Sequence, residues 1–142
     1  MVTVPTSISF QYTHDYGTYS RTDGIVVPIG LSIGGRSVPE LLAKLDTGAE
    51  DCIFQREYGE QWGLEIESGL PKRFGSAAGG FDAFGHAVDI DCFGFSIQST
   101  VYFARDYNFY RNVLGRNGWL QRFRIAIIDY DSILHISYYD HN

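Results

Sequence analysis

One short segment of the sequence combines groups that could carry out acid–base chemistry. The run LAKLDTGAEDCIF, residues 42–54, leads from an apolar stretch directly into Asp46, Thr47 and Gly48, and two further acids follow. A carboxylate at the end of a buried strand is costly unless another group shares its proton or hydrogen-bonds to it. The segment therefore predicts either a carboxylate that handles protons or an Asp that caps the turn before a following helix.

Other catalytic and metal-binding patterns do not occur in the sequence. The four histidines are scattered without metal-ligand spacing, and there is no CxxC or HExxH motif. A Ser or Cys nucleophile needs a neighbouring base, and the chain has no GxSxG elbow. Cys52 and Cys92 lie in apolar, strand-like segments, which favours free buried thiols over a disulfide. We expect neither a metal nor a cofactor.

The acidic segment must be positioned by a chain that is mostly β. Alternating or β-branched runs predict strands at 8–12, 24–33, 38–45, 87–97, 99–104, 124–130 and 132–139. Turn signals separate several of them, notably Gly34-Gly35 and Asp131-Ser132. Only two short helices are predicted, at about 55–62 and 118–123.

The length and composition indicate one folding unit. A chain of 142 residues with 44% hydrophobic content suffices for one packed core, so residues 1–142 are predicted to form a single domain. Residues 1–20 are rich in Thr, Ser and Tyr, and we expect this N-terminal strand region to be partly mobile.

The charge balance argues against some classes of partner. A net charge of −6 is unfavourable for a large phosphate-binding face, because nucleic-acid affinity rests on clustered Lys and Arg. Four arginines between 111 and 124 form a locally basic segment, which we interpret as a solvated helix face plus one structural ion pair, with an anion site as the lesser alternative. No apolar run approaches the roughly 20 residues of a spanning helix, and the N-terminus lacks a signal-peptide pattern. We expect a cytoplasmic protein without nucleic-acid or membrane partners.

A second motif lies far downstream of the acidic segment. Residues 113–117 read VLGRN, two apolar residues followed by Gly115, Arg116 and Asn117. The strand-DTGA segment together with VLGRN resembles the retropepsins, the single-domain aspartic proteases of retroviruses and their cellular and bacterial relatives. The resemblance covers roughly residues 24–137, and the two motifs in this order are far more specific than either alone.

The resemblance implies a fold and a catalytic mechanism. The fold is all-β, a closed acid-protease barrel with a ψ-loop and one short C-terminal helix, and the ψ-loop places Gly115 behind Asp46. The chain has a single Asp-Thr-Gly, whereas an aspartic protease needs two carboxylates that share one proton. The resemblance therefore implies a homodimer in which Asp46 of each subunit holds the attacking water. Thr47, Gly48 and Ala49 support the catalytic loop, with Thr47 hydrogen-bonding across to the partner subunit.

The resemblance also assigns residues to substrate binding. The glycine-rich stretch at 71–87 occupies the place of the retropepsin flap, a β-hairpin over the active site, and Gly79, Gly80 and Phe81 resemble its tip. An ordinary flexible hairpin is the alternative interpretation. In the catalytic loop, the implied substrate-binding residues are Glu50 and Asp51.

Two features depart from the usual retropepsin pattern. Retropepsins often carry Asp or Ser where this chain has Glu50, whose longer side chain is a candidate ion-pair partner for Arg116. The loop at 105–112 is longer and more aromatic than expected. Its aromatic residues, Tyr107, Phe109 and Tyr110, are interpreted either as cover for the core or as the lining of a pocket.

The implied function is that of an aspartic endopeptidase acting on peptides or proteins. The main alternative is a non-catalytic dimerisation or peptide-binding module, because fold does not fix function. A third interpretation is a domain cut from a larger chain, whose flanking regions choose the substrate. The strand at 132–139 belongs either to a sheet shared between two subunits or to an internal sheet covered by the N-terminal residues.

Overall fold

The computed structural model of the protein describes residues 9–141. Strands dominate this part of the chain, which confirms the predicted all-β class. The strands are β1 (Tyr12–Asp15), β2 (Val26–Ile33), β3 (Arg36–Leu45), β4 (Ile53–Phe54), β5 (Leu70–Ser76), β6 (Gly79–Cys92), β7 (Phe95–Ala104), β8 (Val113–Leu114), β9 (Phe123–Ile128) and β10 (Ile133–Tyr138). One α-helix, α1 (Arg56–Gln61), lies within the described residues. Short 3-10 turns occupy Tyr16–Thr18, Arg21–Asp23, Ile66–Ser68, Leu120–Arg122 and Asp129–Asp131.

The strands form two sheets. The larger has the order β2-β3-β8-β4-β7-β6-β5, and an additional pairing of β2 with β6 closes it on itself. The smaller has the order β1-β10-β9. A common core of buried side chains joins both sheets and includes Trp119, Phe54, Phe103, Leu134 and Ile136. This packing fixes the end of β3, which Asp46 directly follows.

Most of the predicted strands are present, but one apolar run is divided. The run at 87–97 contains a two-residue turn, Phe93-Gly94, in which φ is 51° and 83°. β6 ends before this turn and β7 begins after it. The apolar pattern continues through Phe93, so periodicity alone could not locate the reversal. The predicted Gly34-Gly35 turn has φ of 54° and 82°, the left-handed values that suit glycine in a tight hairpin.

The helix at 55–62 is confirmed as α1, whereas the one at 118–123 is shorter than predicted. Only Leu120–Arg122 form a 3-10 turn, because Gly118 has φ of 93° and Phe123 already belongs to β9. At the N-terminus, the predicted strand at 8–12 begins only at Tyr12. The earlier N-terminal residues, 1–8, lie outside the described part of the chain.

The strand at 132–139 corresponds to β10 and lies inside the smaller sheet. It pairs antiparallel with β1 on one side and with β9 on the other. This arrangement matches the interpretation in which N-terminal residues cover the strand. β10 therefore has no open backbone edge for another chain.

Two further properties concern the thiols and the length of the helices. Cys52 and Cys92 are free and buried, and burial raises the pKa of each thiol to about 12. Both are therefore neutral at physiological pH. Between residues 9 and 141, every helix is too short or too polar to cross a membrane.

Candidate active site

The Asp46 loop, residues 46–51, begins where β3 leaves the sheet. β3 runs parallel to β8, with Leu45 opposite Leu114, and the Asp46 amide donates to the Leu114 carbonyl at 3.0 Å. The Gly48 amide donates to one carboxylate oxygen of Asp46 at 2.9 Å. No other hydrogen bond to this carboxylate exists within the described residues. The loop thus orients the carboxylate from one side and leaves it open on the other.

Gly115 lies against the backbone of this loop. A Cβ added at Gly115 would stand 2.6 Å from the carbonyl carbon of Asp51 and 2.9 Å from the carbonyl oxygen of Ala49. The next residue, Arg116, donates its amide to the same Ala49 oxygen at 2.9 Å. The segment at 113–117 therefore crosses directly beneath the loop. Only glycine fits at the crossing, because the opposing atoms belong to the backbone.

Exposure varies along the Asp46 loop. Asp46 and Ala49 are half-buried, whereas Thr47 and Gly48 are exposed. Within residues 9–141 the Thr47 hydroxyl has no hydrogen-bond partner. The loop therefore presents a carboxylate, a free hydroxyl and an accessible backbone at one surface.

The two acids that follow are paired with Lys72, which sequence reasoning missed. The Lys72 ammonium lies 2.5 Å from Asp51 Oδ2 and 3.3 Å from Glu50 Oε1. Asp51 is buried, with 8% of its side chain exposed, whereas 68% of the Glu50 side chain is exposed. The hydrogen bond to Asp51 is the main cause that raises the pKa of Lys72. No sequence pattern near Lys72 predicts this pairing, because the contact with Asp51 depends on how β5 folds over the loop.

Arg116 does not take the place expected for it beside Glu50. Its side chain is exposed and forms no ion pair within the described part of the chain. Lys72 pairs with the acids instead, because β5 brings its ammonium onto the buried carboxylate of Asp51. The ion pair expected for Arg116 is therefore absent within the described residues.

We expect Lys72→Met to lower the free energy of unfolding by about 1–2 kcal/mol at pH 7, because Asp51 would stay buried without its partner. The folded protein holds the pKa of Lys72 above its ordinary 10.5, so this stabilisation is complete below pH 10.5 and is lost as pH rises through the folded value. Urea unfolding of both proteins at several pH values measures the difference.

Arg73→Met is the matched control, since the neighbouring Arg73–Asp82 pair is more exposed, with 63% and 32% of the side chains accessible. Its effect should be smaller, about 0.5 kcal/mol. Equal unfolding curves for Lys72→Met and the unmodified protein at pH 7 would contradict a stabilising pair.

The glycine-rich stretch forms a hairpin of β5 and β6. The strands pair from Leu70 opposite Gly85 to Ser76 opposite Gly79, and the chain reverses at 77–78. Gly79 and Gly80 therefore stand just after the reversal, and Gly79 has φ of 112°. The expected hairpin is present at the expected place, and its tip is built from small residues.

Phe81 is packed into an aromatic cluster two strand pairs from the tip of the hairpin. Its ring stacks on that of Phe74, its cross-strand partner, with centroids 5.5 Å apart, and lies 5.1 Å from the ring of Phe109. Ile53 and Tyr102 belong to the same cluster. Ile53 starts β4 shortly after the Asp46 loop, so the cluster links the hairpin to the loop through packing.

The aromatic loop at 105–112 divides between the two roles considered for it. Phe109 packs against the hairpin. Tyr107 donates to Glu60 of α1 at 2.5 Å, and Arg56 lies over its ring. Tyr110 is 79% exposed and lines a cavity beside β3. Two of the three rings therefore fix the loop and the third borders an opening.

Metal ligation finds no support in the described residues. Between residues 9 and 141, no three His, Cys, Asp or Glu side chains come together in a way that could hold an ion.

Comparison with known proteins supports the fold. Neither a protein-family model nor a curated protein matches the sequence. Among solved structures, the chain is similar to EIAV protease complexed with the inhibitor HBY-793, at 19% identity and a TM-score of 0.50. The match covers 64% of this chain and 80% of that chain. The likeness shows that the protein has a retropepsin-like fold.

Proposed function

We propose that the protein is an aspartic endopeptidase that acts as a homodimer. The observation that supports this most strongly is the Asp46 loop itself. Its carboxylate is oriented by Gly48, remains accessible, and sits on a loop held by the glycine crossing at Gly115. A merely capping Asp needs no such crossing. The fold shared with a viral protease supports the same function.

In the proposed reaction, Asp46 of two subunits faces one water molecule. The ionised carboxylate takes a proton from the water as its oxygen attacks the peptide carbonyl carbon, while the protonated carboxyl donates to the carbonyl oxygen. The tetrahedral intermediate then loses its C–N bond. The leaving nitrogen takes up a proton from the carboxyl that received one. A hydroxyl of the intermediate gives its proton to the carboxylate that donated earlier and becomes the new carbonyl, so the dyad is again singly protonated.

The exposed part of the Asp46 loop supports the proposed dimer. A single chain offers one Asp46, and the unpartnered Thr47 hydroxyl beside it is available to the backbone of a second copy. Any sheet shared between the subunits would use the outer strands β1 or β9, because β10 is paired on both sides. A cytoplasmic location, inferred from the sequence, belongs to the same proposal.

The proposed substrate-binding elements surround the loop. The β5–β6 hairpin would close over an extended peptide, with Gly79 and Gly80 allowing close backbone approach and Phe81 supporting the hairpin from below. Glu50, exposed at the loop surface, would bind the peptide backbone, while Asp51 and Lys72 hold the hairpin to the loop.

Digestion of a diverse peptide library from mildly acidic to neutral pH tests the function. Mass spectrometry should find specific cleavage by the unmodified chain and none by Asp46→Asn at matched dimer content. The rate should rise and fall with pH, as a shared proton requires. Two silent proteins that both dimerise would instead favour the peptide-binding module, and equal cleavage by both would remove Asp46 from the mechanism.

A further inference from the structure

A cavity of about 280 Å³ opens on the same face of β3 as Asp46. Side chains alternate along a strand, and here Leu41, Ala43 and Leu45 are buried while Leu42, Lys44 and Asp46 are not. Lys44 therefore shares a face with Asp46, about 7 Å away along the strand. Both Leu42 and Lys44 line the cavity.

The cavity is lined by two cations. Lys44 is half-buried, and its stem lies along Gly24, where an added Cβ would stand 2.5 Å from Lys44 Cε. Arg111 contributes the second cation. Neither forms an ion pair within residues 9–141, even though Asp23 lines the same cavity. The lining therefore keeps one excess positive charge and two sets of unused donors.

Asn112 joins the two segments that carry these cations. Its buried side chain donates to the Leu42 carbonyl at 3.1 Å and accepts from the Gln55 amide at 3.1 Å. Its backbone carbonyl accepts from the Lys44 amide at 2.8 Å. The bonds to Leu42 and Lys44 tie the segment that carries Arg111 to β3, and the bond to Gln55 ties it to the start of α1. The backbone positions that carry the two cations are therefore fixed by hydrogen bonds of a buried residue.

We propose that this cavity selects an acidic side chain, Asp or Glu, next to the bond that is cleaved. The inference rests on the proposed peptidase function, which places the peptide across Asp46. The cavity, of about 280 Å³, is several times larger than the roughly 30 Å³ that one water takes in the liquid. It therefore has room for one side chain. A two-fold dimer offers the same cavity on each side of the scissile bond, so acidic residues are favoured at both positions.

Peptide pairs that differ only by Glu or Gln, and by Asp or Asn, beside the cleaved bond test the selection. The unmodified protein should favour the acid by about tenfold or more in kcat/KM, as hydrogen bonds to charged groups supply. In Lys44→Gln/Arg111→Gln the ratio should fall to about one, since both cations are gone. Lys44→Glu/Arg111→Glu should instead favour Lys at these positions.

Arg36→Gln is the matched control, because it removes an exposed cation from the opposite end of β3. It should keep the preference of the unmodified protein. Circular dichroism checks that each variant is folded, and Arg111→Gln alone, which changes an exposed side chain, serves if the double variant is not. The inference is overturned if the unmodified protein cleaves the acidic and amide peptides with equal kcat/KM. It is also overturned if the folded cavity variant keeps the acidic preference of the unmodified protein.

The inference and the proposed function fail separately. Cleavage without an acidic preference removes the inference and keeps the peptidase. If no peptide is cleaved, the peptidase function fails, and fluorescence anisotropy with the same labelled peptides decides the inference. Binding of the Glu peptide about tenfold tighter than the Gln peptide supports the cationic cavity, whereas equal binding overturns it.

Discussion

Asp46→Asn should lower kcat/KM for peptide hydrolysis by roughly 10³-fold or more, because an amide can neither take the water proton nor share a proton with its twin. The substitution keeps the size of the side chain and the acceptor oxygen for the Gly48 amide, so the Asp46 loop should hold its shape. Initial rates on a cleavable peptide measure the loss. Unaltered thermal unfolding of Asp46→Asn shows that the loss is chemical.

Mixing Asp46→Asn with the unmodified chain tests whether both carboxylates are needed. In an equimolar mixture that exchanges subunits freely, about a quarter of the dimers carry two intact Asp46 residues. Activity should therefore fall to about a quarter of that of the same total concentration of unmodified protein. If each subunit works alone, half remains, and that result would contradict the shared site.

Gly115→Ala is expected to lower the free energy of unfolding by roughly 3 kcal/mol or more. The added methyl would overlap the backbone of residues 49–51, which cannot rotate aside as a side chain does. Relief of the overlap would shift the Asp46 loop, so peptide cleavage should fall with stability. Urea unfolding measures the first effect and initial rates the second.

Gly75→Ala provides the control for a glycine in a strand. A Cβ at Gly75 would meet nothing within 4 Å, so its unfolding free energy should stay within about 0.5 kcal/mol of the unmodified protein. Similar unfolding curves for Gly115→Ala and Gly75→Ala would show that the crossing tolerates a side chain. That outcome would remove the steric reason for glycine beneath the loop.

Local patterns predicted the parts of the fold that depend on neighbouring residues. The alternation in β3 and the turn at Gly34-Gly35 are written in adjacent positions, and both are present in the structure. The turn at Phe93-Gly94 was missed because an aromatic residue occupies a left-handed conformation within an apolar run. The apolar pattern reports which side chains are buried, and apolar residues continue through that turn, so the pattern does not show it.

The site could be predicted only as far as its two motifs. Asp46 and Gly115 are marked by residue type and by order along the chain, and the structure places both in one crossing. Lys72 reaches Asp51 through the pairing of β5 with β6, and Arg111 lines a cavity with Lys44 because Asn112 bonds to β3. No spacing in the sequence encodes those contacts, because they arise only when the sheets close.

The enclosed position of β10 bears on how the proposed enzyme would come into being. Since β1 and β9 pair with β10 on its two sides within one chain, β10 needs no second copy to satisfy its backbone. Many obligate dimers have no folded monomer, so their folding and association are one event. In the proposed enzyme the two events would be separable. A chain would finish folding alone and become active only on meeting a second copy, so the cellular concentration of the chain would control proteolysis.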